Sequence, residues 1–75
     1  MEPYKNLGGY SAVVSYEMGN DFITLQFHDG WIYTYTFESA GRENVEHMKA
    51  LASAGRGLNG FISSVVKGGY AAKTR

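Results

Sequence analysis

The sequence has no cysteine, so it can form neither a disulfide framework nor a thiolate metal site. No apolar run approaches the ~20 residues needed to cross a bilayer. The opening stretch, MEPYKNLGGY, carries no apolar core of a secretory signal. A soluble cytoplasmic protein without a membrane partner is therefore expected. Acids are missing from the last third. Residues 1–46 carry a net charge of −5, and residues 47–75 carry +5 with no Asp or Glu. A basic C-terminal third suits phosphates, although helix C-termini favour Lys and Arg for their own reasons. The whole chain sums to zero, which works against nucleic-acid affinity, since phosphate neutralisation dominates it.

The 75 residues make one domain. A chain this short buries only ~60% of the surface its unfolded form exposes, so the core is thin. Hydrophobic residues at 44% and charged residues at 19% fit a globular domain and not a disordered one. The expected division is an N-terminal extension over 1–11, a domain over 12–70 and a tail over 71–75. In the extension, Tyr4, Leu7 and Tyr10 are candidates to dock on the domain.

Period-two alternation predicts three strands. Residues 12–18 place Ala12, Val14, Tyr16 and Met18 on one face. Residues 22–27 alternate Ile23, Leu25 and Phe27 against Thr24 and Gln26. Residues 31–37 are β-branched or aromatic throughout. Directly opposed residues of a hairpin share a face. A two-residue Asp29-Gly30 loop would put Tyr33 and Tyr35 opposite in facing to Leu25 and Phe27. A three-residue loop, His28-Asp29-Gly30, pairs Phe27 with Trp31, Leu25 with Tyr33 and Ile23 with Tyr35, which gathers the large apolar groups. Gly30 then takes the left-handed position of a type I turn with a G1 bulge. By the same reasoning an Asn20-Asp21 turn opposes Tyr16 to Leu25 and Val14 to Phe27.

Ser39 is the expected cap of a first helix that carries Val45, Met48, Leu51 and Ala52 inward and ends near Gly55. A second helix places Leu58, Phe61, Ile62, Val65 and Val66 on one stripe and ends at Gly68-Gly69. The expected fold is α+β, a three-stranded antiparallel meander followed by two helices packed on one face, in the order βββαα. Leu58, Phe61, Ile62 and Val65 are expected to pack with Leu25, Phe27 and Val14.

No catalytic constellation stands out. Gly55-Arg56-Gly57-Leu58-Asn59-Gly60 fits G-x-G-x-x-G but follows a helix, whereas a dinucleotide fingerprint follows a strand. The glycines suit a helix–helix turn. The same turn places Arg56 beside a helix N-terminus, where N–H groups favour an anion. Glu43 and His47 share a helical face, but two ligands do not define a zinc site. The chain is expected to be no enzyme and to hold no cofactor or metal. The candidate ligand-binding residues are Arg56, Gly57 and Asn59, with Tyr33 and Tyr35 nearby. The two tyrosines also fit the core, and incomplete cover by two short helices would leave some rings exposed.

The run Phe27-His-Asp-Gly30-Trp-Ile-Tyr33-Thr-Tyr35, preceded by Ile23-Thr-Leu25, resembles the KTSC family. That family is named for its place at the C-terminus of some lysyl-tRNA synthetases, and it also occurs as single-domain bacterial and phage proteins. Its Tyr-x-Tyr is matched by Tyr33 and Tyr35, and its downstream Ser-x-Gly, Asn and Ile by Ser53, Gly55, Asn59 and Ile62. The likeness covers residues 12–70. The chain departs at Gly57 and Leu58, where the family commonly has aromatics, and at Phe37-Glu-Ser-Ala-Gly41 in place of a Val-Pro. The resemblance implies a domain of unknown function with RNA binding suggested by the synthetase fusion; the loss of a ring at Gly57 weakens a stacking site there.

The functional expectation is a non-catalytic binding domain for RNA or nucleotide phosphates. Two alternatives stand beside it: a protein-interaction module forming a homodimer through open sheet edges, and a small-molecule-sequestering protein of the phage type.

Overall fold

The computed structural model describes Met1–Arg75. Its elements run β1 (Glu2–Pro3), β2 (Val13–Met18), β3 (Phe22–Phe27), β4 (Ile32–Thr36), α1 (Phe37–Ala40), α2 (Arg42–Ala54), α3 (Leu58–Phe61), a wider π-helical turn at Ile62–Val66, and β5 (Ala72–Thr74). The five strands form one sheet in the order β1-β2-β3-β4-β5, antiparallel throughout. The fold is thus α+β, and the central meander is the expected one. Two short outer strands extend it, drawn from the segments read as extension and tail. No helix is long and apolar enough to cross a membrane.

The β3–β4 hairpin shows how little sequence is needed to set a register. Gly30 has φ +93°, a conformation only glycine adopts readily. Its N–H donates to the Phe27 carbonyl at 2.9 Å, and the Phe27 N–H donates to the Trp31 carbonyl at 2.9 Å. Asp29 Oδ1 accepts the Trp31 N–H at 3.0 Å. The loop therefore has three residues, and Leu25 pairs with Tyr33 and Ile23 with Tyr35 as expected.

The β2–β3 pair follows expectation at Tyr16 and Leu25 but not beyond. The register shifts between Val13 and Ser15, so Phe27 faces Val13, not Val14. One extra residue in a strand reverses the facing of everything past it. Val13 is consequently 1% exposed and Val14 43% exposed. Ser11 helps to fix the offset, since its Oγ accepts the Val13 N–H at 3.0 Å.

The helices also begin and end differently from the periodic reading. Thr36, not Ser39, is the first cap. Thr36 Oγ1 accepts the Ser39 N–H at 3.1 Å while Ser39 Oγ accepts the Thr36 N–H at 3.0 Å, a reciprocal capping box. That box starts α1 at Phe37, which was expected to close the third strand. Gly41, at φ +94°, separates α1 from α2. Val45, Met48 and Ala52 are buried on α2. Past Phe61 the backbone widens, with the Lys67 N–H donating to the Ile62 carbonyl at 2.6 Å. A π turn rotates less per residue than an α turn. Val66 is buried beside Leu58 and Ile62, as its stripe position predicts, but Val65, expected in the core, is 52% exposed. Phe61 is only half-buried.

The core lies between the sheet and the helices. Val13, Ile23, Leu25 and Tyr35 meet Val45, Met48 and Ala52 from α2, and Leu58, Ile62 and Val66 from the last helical segment. Tyr4 completes it from the stretch between β1 and β2. The other face of the sheet carries polar ladders, Thr24 to Thr34 and Ser15 to Gln26, each with side-chain oxygens 3.0 Å apart.

Candidate functional site

The turn from α2 to α3 needs two left-handed residues, and Gly55 at φ +78° and Gly57 at φ +79° supply them. Gly55 closes α2, its N–H donating to the Leu51 carbonyl at 2.9 Å and the Ala52 carbonyl at 3.2 Å. A second requirement falls on the same residue. A Cβ at Gly55 would lie 2.7 Å from Lys5 Cβ, so the N-terminal segment can pass only because the side chain is absent.

That segment is tied down beside the turn. The Leu7 N–H donates to the Gly55 carbonyl at 2.7 Å. Tyr4 is 6% exposed, and its hydroxyl accepts the Leu58 N–H at 3.4 Å. Asn6, with φ +54°, folds the following residues back: its carbonyl accepts the Gly9 N–H at 2.9 Å, and its Oδ1 accepts the Ser11 N–H at 3.0 Å.

Between this loop and the helix turn lies a cleft of about 200 Å³, lined by Tyr4, Asn6, Gly8, Tyr10, Ser11, Arg56, Gly57, Asn59 and Gly60. Arg56 is exposed and makes no ion pair, the sole pair in the chain being Lys49 with Glu46 at 3.7 Å. Of the first α3 donors, the Leu58 N–H goes to Tyr4 and the Phe61 N–H to the Gly57 carbonyl. Asn59 and Gly60, whose N–H groups have no partner one turn back, line the cleft. Tyr10, 95% exposed, stands at the rim. The set comprises a guanidinium fork, carboxamides, backbone donors and an aromatic ring, which is the equipment to hold an anion with a planar attachment.

Arg56, Gly57 and Asn59 thus meet, as the sequence suggested. Tyr33 and Tyr35 do not join them. Tyr35, 2% exposed, is a core residue on β4. Its ring lies 6.5 Å from that of Tyr33 and 6.3 Å from that of Tyr70. Burial, and then the neighbouring Tyr33 and Tyr70 hydroxyls, push its pKa from 10.0 up to about 12. Missing from the sequence reading were Asn6 and Ser11, whose placement depends on a loop without periodicity. Of the three residues considered for docking, Tyr4 docks, whereas Leu7 and Tyr10 remain exposed.

The histidines lie elsewhere. His28 is exposed in the hairpin loop, and His47 lies against Phe61 with ring centres 4.5 Å apart and the rings tilted by 36°. Ser11 Oγ, the one hydroxyl from a serine in the cleft, is engaged by the Val13 N–H. The site is a small surface cleft on an α+β domain. Comparison of the chain with protein-family models, curated proteins and solved structures gives no significant match.

Proposed function

We propose that this chain is a non-catalytic, cytoplasmic binding domain that takes nucleotide phosphates, free or within RNA, in the cleft between the N-terminal loop and the α2–α3 turn. The observation that carries the reading is Arg56, exposed and free of any acidic partner, beside Asn59 in a cleft with Tyr10 at its rim. A phosphate satisfies the guanidinium and backbone donors together, and a base has the Tyr10 face to stack on. The resemblance to the KTSC family points the same way through the synthetase fusion. Its matched residues Gly55 and Asn59 flank Arg56, and Tyr35 and Ile62 support the core beneath.

Sequestration of a free nucleotide uses the same cleft, so the test carries both ligands. Thermal unfolding is followed with inorganic phosphate, a nucleoside triphosphate and a short RNA. A ligand at a hundred times its Kd adds about 2.7 kcal/mol, which is roughly 10–20 °C for a domain of this size. Arg56→Ala is expected to abolish the rise given by phosphate and by the triphosphate and to reduce the rise given by RNA. An equal rise in the variant, or none in the parent protein, overturns the proposal. A response to free nucleotide alone selects sequestration over RNA binding.

Homodimerisation by strand addition has a narrower physical basis than an open meander would offer. β1 and β5 occupy both edges, β1 is two residues long and contains Pro3, and β5 has three residues. Short edges and proline discourage further pairing.

A further inference from the structure

We infer that the β5 edge of the sheet is a second binding surface, independent of the cleft, and that its partner is single-stranded nucleic acid. Helices α2 and α3 bury Ile23, Leu25 and Tyr35, but they leave the hairpin end of the same face half-exposed at Phe27, Trp31 and Tyr33. The Phe27 and Tyr33 rings meet edge-to-face at 5.3 Å, and Tyr33 and Tyr70 do so at 4.9 Å. β5 runs alongside with Lys73 opposite Tyr33. Lys73 Nζ lies 4.6 Å from the Trp31 ring centre and 5.7 Å from that of Tyr33, and the Arg75 guanidinium carbon lies 5.0 Å from Trp31.

Neither cation of this edge is paired with a carboxylate. Lys49, by contrast, is engaged within the protein by Glu46 at 3.7 Å and the Asn20 carbonyl at 2.9 Å. Lys73 and Arg75 are exposed and reach no carboxylate. The neighbouring acid, Asp29, is turned to the Trp31 N–H at 3.0 Å. A cation over an exposed ring gains little, so both side chains can exchange a ring for a phosphate. The Trp31 face that they vacate is then open to a base. Stacking platforms beside a short run of cations suit unpaired bases, which every single strand offers and a duplex does not. Two cations predict a shallow salt dependence, with a log–log slope of about −1.4 for a single strand.

Trp31 is the only tryptophan in the chain, so its fluorescence reports stacking directly. The protein is titrated at about 50 mM salt with oligo-uridine, oligo-thymidine and poly-glutamate. Both oligonucleotides are expected to quench Trp31, and poly-glutamate is not. The paired substitution Lys73→Ala and Arg75→Ala, both on the exposed edge, is expected to weaken binding at least tenfold while the domain still unfolds cooperatively, with a melting temperature lowered only by the lost cation–ring contacts. Trp31→Ala is expected to weaken it roughly 5- to 150-fold, the range of one lost base stack, while Trp31→Phe retains most of the affinity by anisotropy. Absence of quenching, equal response to poly-glutamate, or unchanged binding in the Lys73/Arg75 variant overturns the inference. Arg56→Ala separates the two sites: it is expected to leave the oligonucleotide titration intact, and loss of quenching in that variant assigns the strand to the cleft and overturns the second surface.

Discussion

At one edge of the sheet, β1 is followed by Tyr4, which enters the core, caps Leu58 and lies beside a glycine turn that admits the chain. At the other edge, no residue of β5 is buried; the strand is held by its pairing with β4 and by Lys73 resting on Trp31 and Tyr33, with half-buried Tyr70 just before it. Both edges extend the same meander. One is fastened through the interior, and the other rests on surface rings. The interior fastening gains apolar burial, worth roughly 25 cal/mol per Å². Beyond strand pairing and half-buried Tyr70, the surface fastening gains exposed cation–ring contacts, worth ~0.5–1 kcal/mol each. Loss of the first therefore propagates through the domain, whereas the second can loosen locally.

The sharpest way to break this contrast is Tyr4→Ala. Removing a buried ring is expected to cost ~3–5 kcal/mol and to leave the Leu58 N–H without its partner. Tyr4→Phe keeps the ring but also leaves the buried Leu58 N–H unpartnered, at ~1–3 kcal/mol. Urea unfolding measures both. A Tyr4→Ala protein as stable as the parent means that the N-terminal edge is also merely resting on the domain.

A smaller effect compares two glycines. Gly55→Ala and Gly30→Ala each force a side chain into a left-handed conformation at ~1–2 kcal/mol. Only Gly55 has a neighbour in the way, since nothing lies within 4 Å of a Cβ at Gly30. Gly55→Ala is expected to lower the melting temperature further and to raise amide exchange at Leu7. Equal losses would show that Lys5 moves aside freely.

The smallest effect is confined to alkaline solution. Tyr35 holds its proton more tightly folded than unfolded, so its contribution is intact below pH 10.0 and is lost as pH rises toward about 12. Stability is expected to fall across that window, and Tyr35→Phe is expected to flatten the fall. A Tyr35→Phe profile identical to the parent's would show that the phenol titrates as freely in the folded chain as in the unfolded one.

The hairpin and its facing were legible because alternation and one obligatory glycine suffice to fix them. Both outer strands were not, because two- and three-residue strands carry no period. Val13 and Val14 exchanged faces through a bulge stabilised by a hydroxyl from outside the strand. Val65, read on the same apolar stripe as Val66, is turned outward by a π turn that helical periodicity does not contain, while Val66 stays buried. At the cleft, Arg56, Gly57 and Asn59 could be read together because they are neighbours in one turn. Asn6 and Ser11 reach it only through tertiary packing, and Tyr33 and Tyr35 are kept from it by the strand that carries them.

Sheet order separates the chain's charges as well as its strands. Glu2 and Glu17 lie on β1 and β2, while Lys73 and Arg75 lie on or just past β5 at the opposite edge. Four strand spacings set the outer strands about 19 Å apart. Salt at 0.1 M screens exposed charges beyond about 10 Å. A polyanion approaching the β5 edge therefore meets a local excess of positive charge and is largely blind to the acids across the sheet. The zero net charge of the sequence describes the molecule as seen from far away in dilute buffer; under ionic conditions like those of a cell, each edge presents its own sign.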